Sequence, residues 1–284
     1  MIHRITVSKP AFLAAALLFG IAAAPASTSG PPLTYADLAD LADAADLVVH
    51  VHVAKQIALP AERATNVAPG RTRLYIEART KALLAGSAPL SESVRYLVDV
   101  PIDAKGKAPK LKKREFLLFA RAVTGRPGEL QLVHPTAQLA YDEAVAARLR
   151  PIVAELAAPD AAPAITGVRD ALAVPGALVG ESETQIFLGT ASGDPVSLTV
   201  IRRPGMEPTW GVSYSEIVDQ AARPPQPGTL AWYRLACFLP AQMPSDANLS
   251  QDAASRARAA QDYAFVLQQL GSCPRTLGRS EDAR

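Results

Sequence analysis

The chain has 284 residues, of which 49% are hydrophobic and 20% charged, and its formal net charge is +2. This composition excludes an intrinsically disordered protein, and the near-neutral charge excludes one that gathers nucleic acid through a global basic field. The length suits two ordinary domains or one large one.

Residues 1–26 read as an export signal. Arg4 and Lys9 give a positive start, and residues 11–24 (AFLAAALLFGIAAA) are continuously apolar but too short for a permanent anchor. Ala24-Pro25-Ala26 fits the A-x-A cleavage pattern. Cleavage there starts the mature chain at Ser27 and leaves 27 basic against 27 acidic residues, so the mature protein is neutral. No later apolar run approaches the roughly 20 residues of a membrane span. Richness in Ala, Pro and Arg is that of a high-GC bacterial genome. The expected location is the periplasm, or the medium if export is complete.

Thr34-x-x-Asp37 is a capping-box pattern and opens a helix over 35–45, with Leu38 and Leu41 on one face. Strict alternation over 47–54 predicts a strand, with Val49 and Val51 on one side and His50 and His52 on the other. A loop over 55–71 precedes a second strand at 73–81, a turn region at 82–89 and a third strand at 94–100. A Lys-rich loop spans 103–114. The fourth strand, 115–122 (EFLLFARA), is apolar on both faces, and a fifth follows at 129–133. A helix over 141–156 is expected to split or kink at Pro151.

Five strands with little else between them predict a small OB-like barrel. Asp46-Leu47-Val48-Val49, then Ala82-Leu83-Leu84-Ala85-Gly86, then Arg114-Glu115-Phe116-Leu117-Leu118-Phe119-Ala120 resemble the recurring pattern of netrin-like OB barrels. That family includes the inhibitory domain of tissue inhibitors of metalloproteinases and many exported bacterial proteins. The resemblance covers residues 46–133 and implies the barrel. The animal inhibitors carry a metal-chelating N-terminal cysteine and several disulfides. This stretch has no cysteine, so the resemblance does not carry inhibition across.

Residues 157–163 (AAPDAAP) read as a linker between the barrel domain, 33–156, and a second domain, 164–275. Ile165, Val168 and Leu172 have helical spacing, ended by Pro175-Gly176. Strands are expected at 184–190, 196–203 and 210–214. Residues 229–239 (TLAWYRLACFL) fit either a strand or a helix. A long helix over 251–270 is capped by Ser250 and ended by Gly271, with Ala253, Ala257, Ala260, Ala264 and Leu267 as its packing stripe. Residues 276–284 read as a disordered tail. Cys237 and Cys273 are the only cysteines, and in an oxidising compartment they predict one disulfide, contributing ~3–4 kcal/mol. The fold class is therefore α+β: a five-stranded OB-like barrel, then a smaller disulfide-stapled α+β domain ending in a long helix.

Two patterns carry candidate chemistry. His50 and His52 lie on one face of a strand, and His134 is the third histidine of the mature chain. Together they would form a three-histidine zinc site, the basis of a metal-dependent hydrolase. The run Lys105, Lys107, Lys110, Lys112, Lys113 and Arg114 is a candidate anion site for phosphate, lipopolysaccharide or another acidic surface. No aromatics interleave with it, so stacking on single-stranded nucleic acid is not expected. Gly180-Glu181-Ser182-Glu183 lacks the final glycine of a nucleophile elbow, and neither GxGxxG nor a P-loop occurs. Trp210, Trp232 and Tyr233 read as core or interface aromatics. No residue is assigned a catalytic role. The leading expectation is a non-enzymatic periplasmic binding or interaction module without a cofactor. Its partner would be another periplasmic protein or an acidic envelope component, not nucleic acid. The alternatives are the zinc hydrolase and an inhibitor of an exported protease.

Overall fold

The computed structural model describes residues 32–86, 90–215 and 222–277; the expected export signal over 1–26 and the expected tail beyond 277 lie outside the described residues. Thr34 and Asp37 form the full capping box. Thr34 Oγ1 accepts from the Asp37 N–H at 3.0 Å, and an Asp37 carboxylate oxygen accepts from the Thr34 N–H at 2.8 Å. Two orphan donors of the helix start are thereby satisfied. The helix they open, α1 (Tyr35–Asp43), buries Ala36, Leu38, Ala39, Leu41 and Ala42.

The five expected strands are β1 (Leu47–Ala58), β2 (Arg71–Ala85), β3 (Ser93–Pro101), β4 (Glu115–Ala122) and β5 (Glu129–Leu132). They pair in the order β1-β2-β3-β5-β4, and β4 pairs back with β1, so the barrel closes, with β3 meeting β5 at Arg95 and Tyr96. Only β3 and β5 are parallel. Val49, Val51, Val53, Leu74, Ile76, Val94 and Leu118 fill the interior, each fully shielded from solvent. β2 continues to Ala85, beyond the turn expected from residue 82, because its end pairs with the start of β1, Ala85 opposite Val48. A short β6 (Gln138–Ala140) adds to β4. β4 is apolar on both faces for two reasons. Phe116, Leu118 and Ala120 face the interior; Leu117 and Phe119 face outward into the core shared with α1 and with α2 (Glu143–Leu156). Asp142 caps α2, which is continuous through Pro151.

Residues 157–163 are packed and do not form a free tether. Ala161 and Ala162 lie against the shared core, and Arg234 Nε donates to the Ala162 carbonyl at 3.1 Å. From Leu33 onward the chain is one compact unit. The second half contains an antiparallel sheet in the order β10-β9-β8-β7, built from β7 (Ile165–Pro175), β8 (Ser182–Thr190), β9 (Val196–Arg202) and β10 (Thr209–Ser213). Residues 165–175 are thus a strand, not the expected helix. Register shifts between Ile165 and Gly167 and between Val168 and Asp170 break the period of two and mimic helical spacing. Residues 229–239 resolve as a helix, α3 (Leu230–Ala236), capped by Thr229.

The last helix, α4 (Ala253–Leu270), is capped by Asp252, not Ser250; the Ser250 hydroxyl accepts from the Ala173 N–H at 3.0 Å. Its buried face is Ser255, Ala259, Asp262, Tyr263, Val266 and Leu270, and the alanines at 253, 257, 260 and 264 face solvent. Asp262 draws the helix onto this face. Its carboxylate accepts from Thr184 Oγ1 at 2.5 Å and from Arg202 Nε at 2.6 Å. Cys237 and Cys273 are joined, with their Cα atoms 5.3 Å apart.

The bridge holds residues 271–277 across α1. The carboxylates of Asp37, Asp40 and Asp43 all meet residues of the C-terminal half. Arg234 binds Asp43 in a bidentate pair at 2.6 and 2.7 Å. Asp40 takes the Tyr233 hydroxyl at 2.7 Å and the Arg275 guanidinium. Asp37 accepts from the N–H groups of Thr276 and Leu277 and from the Thr276 hydroxyl. Thr276 and Leu277 were expected in a disordered tail, but they are bonded to the first helix. Burial opposes the charge on Asp37, but the hydrogen bonds from Thr34, Thr276 and Leu277 outweigh it and hold its carboxyl below the ordinary range.

Candidate functional site

The Lys-rich segment is the loop between β3 and β4, and its backbone is fixed from both ends. Asp103 Oδ1 accepts from the N–H groups of Lys105 and Lys107 at 2.9 and 2.8 Å, closing a tight turn at Gly106. Gln56, on β1, holds the second half. Its Oε1 accepts from the N–H groups of Leu111 and Lys112 at 2.6 and 3.1 Å, and its Nε2 donates to the Pro109 carbonyl at 3.0 Å. Leu111 enters the barrel core and is 4% exposed. Lys113 adopts a left-handed conformation, φ 68°, and its N–H donates to the Val53 carbonyl at 2.9 Å. The Val53 N–H returns the bond to the Arg114 carbonyl at 2.9 Å. A backbone tied at so many points loses little further freedom when the side chains engage a ligand.

The side chains themselves point away from these ties. Lys105, Lys107, Lys110, Lys112, Lys113 and Arg114 are all exposed. Among the described residues none of the five lysines takes part in an ion pair. Arg114 lies over the Phe116 ring, 5.6 Å from its centroid. The β1–β2 loop reaches the same end of the barrel, where the Ile102 N–H donates to the Gly70 carbonyl at 3.0 Å. Residues 55–73 and 99–115 together hold ten Lys or Arg against four Asp or Glu, so the rest of the chain, with 19 against 23, is acidic. The charge is therefore separated, with a positive pole at this end of the barrel.

The histidines do not assemble. His50 Nε2 is 2.8 Å from Glu115 Oε2, and its ring lies flat on Tyr141, centroids 3.7 Å apart and planes 5° from parallel. Tyr141 donates to Glu143, which also pairs with Arg150 at 2.9 Å; the Tyr141 bond and Arg150 hold the Glu143 carboxyl below its ordinary range. His52 sits two residues further along β1, opposite Glu115 in register. His134 follows β5, where its Nδ1 is bonded to Thr136 Oγ1 at 2.7 Å. Among the described residues no group of three or more His, Cys, Asp or Glu side chains is placed to hold a metal ion. The three histidines of the zinc reading are thus not brought together among the described residues: Glu115 and Tyr141 engage His50, and Thr136 engages His134.

Trp232 and Tyr233 are interior anchors, with Trp232 Nε1 donating to the Leu270 carbonyl at 2.9 Å. Trp210 is buried in the sheet core. Glu181 and Glu183 border an open cleft of about 450 Å³ on the outer face of the second sheet, with Leu172, Val174, Gln185 and Arg203. Asp194 is apart from it, bonded to Ser192 at 2.6 Å. Sequence reasoning missed Gln56 and Asp103, the residues that set the cationic loop. Asp103 two residues before Lys105 is a local turn signal; Gln56 carries none, since its partners are 53–56 positions away. No family model matches the chain, and no curated protein matches it.

Proposed function

We propose that the protein is an exported, non-enzymatic binding module that engages an anionic partner in the cell envelope through the β3–β4 loop. The observation that carries this reading is the combination of a tied backbone with lysines left without ion-pair partners among the described residues. Gln56, Asp103 and Leu111 position the loop, and Asp103 is the single carboxylate among residues 103–114, against six Lys or Arg. A solvated loop kept for solubility alone has no need of that anchoring. The disulfide is compatible with an oxidising compartment, which supports export.

The test is binding of the mature chain from Ser27 to soluble polyphosphate across a salt series. Affinity is expected to fall as salt rises, because exposed charges are screened beyond about 8 Å at physiological ionic strength. Lys110→Gln/Lys112→Gln/Lys113→Gln is expected to weaken binding strongly without changing the melting temperature. Binding that is indifferent to both salt and these substitutions refutes the reading.

A further inference from the structure

The outer face of β1–β2–β3 carries an apolar row. Ile57 stands opposite Tyr75, and Tyr75 opposite Leu97, so the three lie side by side across three strands. They point outward, because their neighbours Leu74, Ile76, Tyr96 and Val98 fill the barrel. Ile57 is 43% and Leu97 46% exposed. The acidic residues flanking the row are neutralised in place: Arg73 binds Asp99 at 2.7 and 2.8 Å, and Lys55 binds Glu77 at 3.4 Å. The row lies at the same end of β1 as the cationic loop: Gln56, next to Ile57 in the strand and facing the other side, anchors Pro109, Leu111 and Lys112.

We infer that the anionic partner is a lipid surface, on which the barrel docks with its lysines among the headgroups and Ile57, Tyr75 and Leu97 at the acyl boundary. The inference rests on the anion-binding reading above and adds the apolar half of the ligand. A soluble polyanion has nothing to offer the apolar row, whereas an anionic bilayer presents both chemistries side by side. The balance of charge fits: free cations on the loop, paired and therefore silent acids beside the row. Attachment is peripheral, as no described helix is long and apolar enough to cross a membrane.

The experiment is co-sedimentation of the mature chain with phosphatidylcholine vesicles, with and without phosphatidylglycerol, alongside the polyphosphate assay. The wild type is expected to sediment only with the anionic vesicles. Lys110→Gln/Lys112→Gln/Lys113→Gln is expected to lose roughly 100-fold in vesicle affinity, about 5-fold for each lysine near an anionic surface. Ile57→Ser/Leu97→Ser, at exposed positions that leave the core intact, is expected to lose about 10-fold on vesicles and nothing on polyphosphate. If the serine variant binds vesicles as tightly as the wild type, or the wild type binds polyphosphate but no vesicle, the lipid inference is overturned and the anion reading survives. If the lysine variant keeps full affinity for both ligands, the anion reading falls and the inference with it. A dimer in solution that the serine variant abolishes assigns the row to a second copy and overturns the inference.

Discussion

Replacing Asp43 by alanine leaves the Arg234 guanidinium in place with its carboxylate gone. Arg234 is 7% exposed and keeps the Ala162 carbonyl as a hydrogen-bond acceptor and the Tyr233 ring, 5.6 Å from its guanidinium carbon. Breaking a fully buried pair costs about 3–5 kcal/mol, chiefly because the remaining charge is stranded. The Asp43 side chain is 33% exposed, so solvent reaches the pair and the expected cost of Asp43→Ala drops to about 2–3 kcal/mol. Arg234→Met fills the same space without a charge and returns Asp43 to water, so its cost should be smaller, about 1–2 kcal/mol. Urea unfolding followed by tryptophan fluorescence reads the second half, where both tryptophans lie; amide exchange at Val49, Val51 and Ile76 reads the barrel. Because α1 joins the two halves, both probes should report the same loss. A fluorescence transition that moves while barrel protection stays fixed refutes the coupling, as does a cost for Asp43→Ala below about 0.5 kcal/mol, the range of an ordinary surface change.

Two further outcomes follow from the same geometry. Gly86 has φ +116°, and a Cβ there would sit 2.5 Å from the Asp46 carbonyl oxygen and 2.6 Å from Leu47 Cδ2. Gly86→Ala should therefore lower stability by about 3 kcal/mol in urea unfolding, and a loss under about 1 kcal/mol would show that the close approach is not restrictive. Asp37 has a depressed carboxyl pKa in the folded state, so its contribution is present above the ordinary value of 3.8 and is lost as pH falls through the lower, folded value. The stability gap between wild type and Asp37→Asn should accordingly be full at pH 7 and shrink below about pH 4; a gap constant with pH removes the charge from the account.

The barrel was legible because its signals are local. Val49, Val51 and Val53 alternate with polar neighbours, and Val94, Tyr96, Val98 and Val100 do the same. β7 was not legible, since two register shifts place Ile165 and Val168 at helical spacing in what is a strand. The packing face of α4 escaped for another reason. Its central residue is Asp262, which a count of apolar residues rejects, and its burial depends on Thr184 and Arg202, 78 and 60 positions away. The candidate site divides the same way. The lysines are contiguous and show themselves in the sequence, whereas Gln56 is joined to them only by the closure of the barrel. The histidine pair showed how a same-face spacing predicts proximity but not availability: Glu115 and Tyr141 occupy His50.

The C-terminal clasp on α1 bears on the order in which the molecule can be completed. Asp37 meets partners 239 and 240 positions later, Asp40 meets Arg275 at a separation of 235, and Asp43 meets Arg234 at 191. A chain emerging N-terminus first therefore presents its earliest helix long before the groups that answer it exist. The barrel strands can pair in the meantime, but the helix that lies over them waits for Tyr233 and Arg234 to answer Asp40 and Asp43, and for residues 275–277 to complete the bonds to Asp40 and Asp37. Completion is a late, long-range event, of the kind that slows folding. If the chain is exported unfolded, as proposed, such a delay is an asset: the emerging chain lacks its last fastening until the clasp residues have crossed as well.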